Sequence, residues 1–136
     1  NDIRDYPGFY TAEDIKPVSL ETLLEQSDIV TIHTPLDNST RNLLNAQRLS
    51  LLKPTAVLIN AARGGLVDEV ELKKMLQEKR LAAAAFDVFA VEPPQDKDLL
   101  ELPNFLVTPH IGGSAQEAIL AMGRAAINGL DDNKIP

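Results

Sequence analysis

Residues 56–89, "AVLINAARGGLVDEVELKKMLQEKRLAAAAFDVF", decide the fold. The stretch opens on an apolar run, Ala56 to Asn60, crosses a lone Arg63 and a Gly pair, and turns at Asp68 into a helical pattern that runs to Arg80. In that pattern Val70, Leu72, Met75 and Leu76 are expected largely inward, Asp68 is the N-cap with Glu71 at N3, and "KKMLQEKR" (73–80) is the solvated face. A second apolar run, 82–89, follows at once. Strand, helix, strand with short connections predicts parallel strands joined by a right-handed crossover, which places both strand C-termini on one edge.

The same alternation extends outward. "DIVTIH" (28–33) and "FLVTPH" (105–110) are further short apolar runs, as parallel strands covered on both faces require. "SLETLLEQ" (19–26) carries Leu20, Leu23 and Leu24 at helical spacing behind Ser19 as N-cap; the residues ahead of it are helix-poor. Another helix is expected from near Asn45, with Leu49 and Leu52 on one side and Pro54 as its stop. A last one starts at Ser114, with a capping box to Glu117 and an apolar stripe of Ala118, Ile119, Met122, Ala125, Ala126 and Gly129. Small residues in that stripe predict close packing on a sheet or helix, and Met75 and Met122 both read as core. "VEPPQDKDLLELPN" (91–104) is a Pro-bounded loop with one helical turn. The expectation is one α/β domain, a doubly wound parallel sheet with helices on both faces, with an open edge at the 28–33 strand.

With 136 residues, 44% of them hydrophobic, the chain can bury one core of ordinary size. A net charge of −7 argues against nucleic acid or an anionic membrane as the main partner. No apolar run approaches the roughly 18–20 residues that span a bilayer. The absence of Cys excludes disulfides and thiolate metal sites, and two histidines are too few for a histidine-based zinc site. The chain starts "NDIRDYPGFY" rather than with Met, and its first strand comes only near residue 28, as expected of a piece of a longer protein.

Read at their C-terminal ends, the strands deliver chemistry to a single edge. The first ends in His33-Thr34-Pro35, the second in Asn60 with Arg63 three residues on, the third in Asp87 with Glu92 five on, and the last in Pro109-His110 before Gly112-Gly113. Ligands of such sheets bind at this edge. Arg binds a carboxylate through two parallel N–H bonds, and His exchanges a proton near neutral pH with an adjacent carboxylate to orient it. The set suits holding a small acid and moving one proton. Arg63 as a solvated cation in a surface turn is the plainer alternative. No activated Ser or Cys nucleophile accompanies these residues, which argues against acyl transfer.

"INAARGGLVDEVEL", "FDVFAVEPP" and "TPHIGGSAQEA", in this order and spacing, resemble the NAD-binding domain of the D-isomer-specific 2-hydroxyacid dehydrogenases, from Asp2 to about Leu130. The resemblance implies a Rossmann-like fold, hydride transfer between NAD and a 2-hydroxy acid/2-keto acid pair, a cytoplasmic location and a homodimeric parent. It assigns Arg63 to the substrate carboxylate and carbonyl, His110 to general acid/base work and Glu92 as its partner. Asp87 would lie near the nicotinamide, Thr34 and Pro35 beside the cofactor, and the backbone of Ala61, Ala62, Gly112 and Gly113 along its path, with Arg63 and His110 also facing it. Asp2 would bond the adenosine ribose, favouring NAD over NADP. His33 is read as structural, and Gly64 and Gly65 as loop geometry.

No G-x-G-x-x-G occurs in the 136 residues. Residues 1–136 are therefore expected to be the nicotinamide-side part of a dinucleotide-binding domain, without its first strand, first helix, most of its second strand or the substrate domain. Two other readings stand beside this one: a non-catalytic relative that uses NAD to control protein association, as corepressors of the family do, and a self-sufficient α/β binding module. Formate dehydrogenases, a related branch, carry Gln where Glu92 stands.

Overall fold

A computed structural model describes residues 1–132 of the chain, so the last four residues of the expected domain lie outside it. The apolar runs form four parallel strands, β1 (Ile29–Ile32), β2 (Val57–Asn60), β3 (Ala83–Phe86) and β4 (Phe105–Val107), in the order β1-β2-β3-β4. The register Ile32↔Asn60↔Phe86↔Val107 brings all four C-termini to one edge, as expected. β1 is an edge strand, with Ile29 66% exposed.

Local chemistry explains where the helices start. The Ser19 hydroxyl accepts from the Thr22 N–H at the head of α2 (Leu20–Gln26), and Asn45 accepts from the Arg48 N–H ahead of α3 (Ala46–Leu49). Asp68 accepts from the N–H groups of Val70 and Glu71, capping α4 (Glu69–Gln77). Each cap satisfies donors that have no partner inside the helix. A single turn, α5 (Lys97–Leu100), sits in the long loop where one was expected.

Where they stop differs from the sequence pattern. α3 ends well before Pro54, because Leu51 and Leu52 bond three residues back rather than four, which tightens the chain out of α-helical geometry. α4 ends at Gln77 rather than Arg80: Lys79 takes a left-handed φ of 56° and the Arg80 N–H bonds the Met75 carbonyl, a Schellman-type closure. Val70, expected inward, is 75% exposed. It lies two positions before Leu72, hence across the helix from the buried Leu72, Met75 and Leu76.

These helices share one core. Leu24 of α2, Leu49 of α3, Leu72, Met75 and Leu76 of α4 and Leu99 of α5 pack with Val30, Ile32, Leu58, Ala84, Phe86 and Phe105. Right-handed crossovers between strands that advance in one direction put every connection on the same side. Of the two covered faces expected, the described residues build one. The alternate positions point to the other side: Ile29 and Leu106 are exposed there although apolar, while Val57, Ile59, Ala83 and Ala85 are only partly buried.

Two terminal helices depart further. A helix that the sequence pattern missed, α1 (Pro7–Ala12), starts with Pro at N1, where its fixed φ is pre-set for a helix, and buries nothing. The last, α6 (Gln116–Asp132), starts one residue later than a Ser114 N-cap would place it. The Ile119 N–H bonds the Ala115 carbonyl, so Ala115 holds the N-cap position and Ser114 stands one residue ahead of it. Its stripe is not packed: Ile119 and Met122 are more than half exposed, so Met122 is not a core residue. No helix among the described residues is long and apolar enough to cross a membrane.

Candidate functional site

The parallel strands place Thr34 and Pro35, Ala61 to Arg63, Asp87, and His110 to Gly113 beyond their C-terminal ends. The second connection is braced from below. Asn60, 1% exposed, donates from its side-chain amide to the Arg63 carbonyl (3.0 Å) and accepts from the Ala62 N–H (3.2 Å). This is why an Asn ends an otherwise apolar strand: a buried amide is tolerated only when both its donor and acceptor are used. Arg63 itself is exposed, with one guanidinium nitrogen on the Ala62 carbonyl at 2.7 Å, and enters none of the ion pairs among the described residues.

His110 stands at the tip of a strained turn, with φ at 56°, a region that costs a non-glycine residue about 1–2 kcal/mol. Asp87 holds that turn. Its carboxylate accepts from the backbone N–H groups of Ile111 and Gly112, both at 2.8 Å, and from the Thr108 hydroxyl. Burial alone would push the Asp87 carboxyl up, but these three hydrogen bonds and the nearby His110 charge bring it below its usual value. The side chain expected near the nicotinamide is thus the brace of the His110 turn. A Cβ on Gly112 would meet the same carboxylate at 3.0 Å, while Gly113 has open space.

The Glu92 carboxylate lies 2.8 Å from His110 Nδ1 through one oxygen and accepts from the Phe89 N–H (3.0 Å) through the other. The hydrogen bond from His110 and then that from Phe89 lower the Glu92 carboxyl from its ordinary value. Glu92 is therefore anionic at neutral pH and in contact with His110 Nδ1.

His33 is hydrogen-bonded to Thr31 Oγ1 at 3.0 Å but is exposed rather than buried. Asp2 is exposed, precedes every strand and accepts from the Arg4 N–H at 2.8 Å in a local turn. Gly64 acts through close approach, since a Cβ there would stand 1.8 Å from the Phe89 carbonyl oxygen, and Gly65 has a φ of 78°. The roles of Thr108 and Gly64 depend on partners 20 or more residues away, which residue spacing does not display.

Arg63, Glu92 and His110 on one strand edge agree with a second, independent finding. Residues 4–112 match the family described as "D-isomer specific 2-hydroxyacid dehydrogenase, NAD binding domain". The chain belongs to this family. The matched span is narrower than the Asp2-to-Leu130 resemblance and leaves Asp2 and Gly113 outside it. Glycerate dehydrogenase from Methylorubrum extorquens is 43% identical over 117 residues, which cover 84% of this chain and 37% of the relative. The D-isomer specific 2-hydroxyacid dehydrogenase of Lactobacillus delbrueckii ssp. bulgaricus, solved in its NAD-complexed form, superposes with a TM-score of 0.83 at 31% identity, covering 95% of this chain and 43% of that one. An acyclic imino acid reductase in complex with NADPH and D-Arg also gives a TM-score of 0.83 at 31% identity, over 95% of this chain and 39% of the other. The chain thus spans less than half the length of each of these three relatives.

The family's cofactor fits part of what is present. Ala61, Gly112 and Gly113 make the strand edge shallow and exposed, with no Cβ contact at Gly113, so a flat ring can approach the backbone beside His110. The sequence supplies no G-x-G-x-x-G for the pyrophosphate. The exposed backbone at Gly113, with nothing within 4 Å of a Cβ position, leaves room for a flat ring of a dinucleotide.

Proposed function

We propose that residues 1–136 form the nicotinamide-side part of the dinucleotide-binding domain of an NAD-dependent dehydrogenase that interconverts a D-2-hydroxy acid and its 2-keto acid. The observation that carries this reading is the contact of Glu92 with His110 Nδ1 at 2.8 Å, on the edge that also carries an exposed Arg63. NAD, when bound, supplies a position that takes or gives one hydride. Asp87 is assigned a place near the nicotinamide, Thr34 and Pro35 beside the cofactor, the backbone of Ala61, Ala62, Gly112 and Gly113 along its path with Arg63 and His110 also facing it, and Asp2 the adenosine ribose. A homodimeric, cytoplasmic parent completes the assignment on family resemblance.

The chain's own residues handle the acid and the proton. Arg63 clamps the substrate carboxylate and the oxygen on C2 through parallel N–H bonds. In the oxidation direction the C2–H bond breaks with its electron pair leaving as hydride, and His110 Nε2 takes the hydroxyl proton as the C2–O double bond forms. In reduction His110 returns that proton to the oxygen. Glu92, anionic on Nδ1, orients the ring and stabilises its protonated form.

Steady-state kinetics of a full-length protein carrying this chain, over a panel of 2-keto acids, test the assignment in Glu92→Gln. Gln keeps a hydrogen bond but removes the negative charge beside the imidazole. Keto-acid reduction needs protonated His110 and hydroxy-acid oxidation needs the neutral ring, so the pH–rate profiles of both directions should change in Glu92→Gln. Superimposed profiles for Glu92→Gln and the unaltered protein would remove Glu92 from the mechanism.

A further inference from the structure

Glu69, the first residue of α4, has no part in the chemistry above, yet its side chain reaches toward it. One carboxylate oxygen accepts from the Ala90 N–H at 2.8 Å. Helix capping does not explain the contact, because Asp68 already caps α4 through Val70 and Glu71, and Glu71 supplies a further acid in the first turn. Glu69 also has no cation: none of the ion pairs among the described residues involves it. Burial, and then the charges of Asp68, Asp96 and Glu92, push its carboxyl up against the opposing Ala90 hydrogen bond. A half-buried acid among three others stabilises the helix poorly.

The peptide it holds is contacted from the same connection at a second point. A Cβ on Gly64 would lie 1.8 Å from the Phe89 oxygen, 2.0 Å from its carbonyl carbon and 2.5 Å from the Ala90 nitrogen. The Phe89–Ala90 peptide is therefore packed against the backbone beside Arg63 and hydrogen-bonded by the helix that follows. Its near end is anchored by the Phe89 ring, 6.1 Å from Phe86 and 6.2 Å from Phe105 between centroids. Its far end leads to Glu92, whose carboxylate accepts from the Phe89 N–H and contacts His110.

We infer that Glu69, together with the close approach at Gly64, is a positioning residue that fixes the Phe89–Ala90 peptide and so sets Glu92 against His110. The inference rests on the acid/base reading of that pair and extends it. It links the Arg63 connection to the Glu92 segment, so the group that clamps the acid and the group that tunes the proton carrier share one rigid support. A clamp of this kind has a function that packing alone lacks, because a displacement of about 1 Å at a catalytic group can cost on the order of a hundredfold in rate.

The test reads the titration of the Glu92 carboxyl by carbon-detected NMR in a full-length protein carrying this chain. Glu92 is faced by His110, Asp87 and Glu69, and by the Phe89 N–H. Removing the Glu69 charge would on its own make Glu92 easier to ionise. Loss of positioning does the opposite, since Glu92 loses the two hydrogen bonds that hold its proton affinity down. Glu69→Ala should raise the Glu92 midpoint by about one pH unit, a tenfold change in proton affinity. Glu69→Asp keeps the charge and the helix start but is one methylene too short to reach Ala90, and should raise the midpoint similarly. Glu69→Gln keeps the acceptor and should not raise it. An unchanged or lowered midpoint in Glu69→Ala or Glu69→Asp, or a rise in all three variants, would overturn the inference. If the expected pattern appears while the kinetic profiles of Glu92→Gln superimpose on the parent's, the clamp stands and the catalytic role of Glu92 falls.

Discussion

Replacing His110 with Asn in a full-length protein carrying this chain should lower turnover by about a hundred- to ten-thousand-fold, the usual range for a positioned acid/base group. Asn is the informative replacement because His110 occupies a left-handed φ of 56°, which Asn adopts with less strain than other side chains, so the turn held by Asp87 is preserved. Asn cannot exchange a proton near neutral pH. Calorimetry should give an NAD affinity close to the parent's, because the proposed site assigns most of the cofactor's contacts to the backbone of Ala61, Ala62, Gly112 and Gly113, which Asn leaves in place. A loss of less than tenfold would mean that proton transfer is carried elsewhere. Arg63→Lys should fail differently, raising KM and lowering kcat together, because a point charge cannot reproduce a two-bond clamp.

Much of this arrangement was legible in the sequence, for identifiable reasons. Strand ends and caps are local: Ser19, Asn45 and Asp68 bond to backbone groups two or three residues away, so their role can be read from position. The edge that gathers Arg63, Glu92 and His110 follows from strand direction alone. What periodicity cannot state is the identity of the surface that meets an apolar face. The stripe on α6 has the pattern of a packed helix, yet Met122 is 57% exposed, while Met75, with the same chemistry, is 1% exposed. Ile29 and Leu106 make the strands read as covered on both faces for the same reason. Bonds across long separations were equally invisible. Glu69 resembles a first-turn acid of α4, and only the fold shows that it reaches Ala90, 21 residues on.

Gly64→Ala should be the most destabilising single-methyl change among the glycines beside the site. An added Cβ would lie 1.8 Å from the Phe89 carbonyl oxygen, well inside contact distance, and the obstacle is backbone, which cannot rotate away as a side chain can. Overpacking a rigid site costs typically 1–3 kcal/mol and occasionally more. Here the upper end applies, about 3 kcal/mol, because relief requires separating the Arg63 connection from the Phe89–Ala90 peptide and breaking the Glu69 hydrogen bond. With a urea dependence of about 1.5 kcal/mol per molar, the unfolding midpoint should fall by about 2 M. Gly65 provides the internal comparison. Its φ of 78° is the feature usually taken to demand glycine, but a Cβ there meets only side-chain atoms at 3.7 Å, so Gly65→Ala should cost about 1 kcal/mol of backbone strain. Gly113→Ala, with open space around it, should shift the midpoint least. An order in which Gly65→Ala is the more damaging would mean that the two segments separate readily, and that the peptide between Phe89 and Ala90 is not the rigid support on which the Glu92–His110 geometry depends.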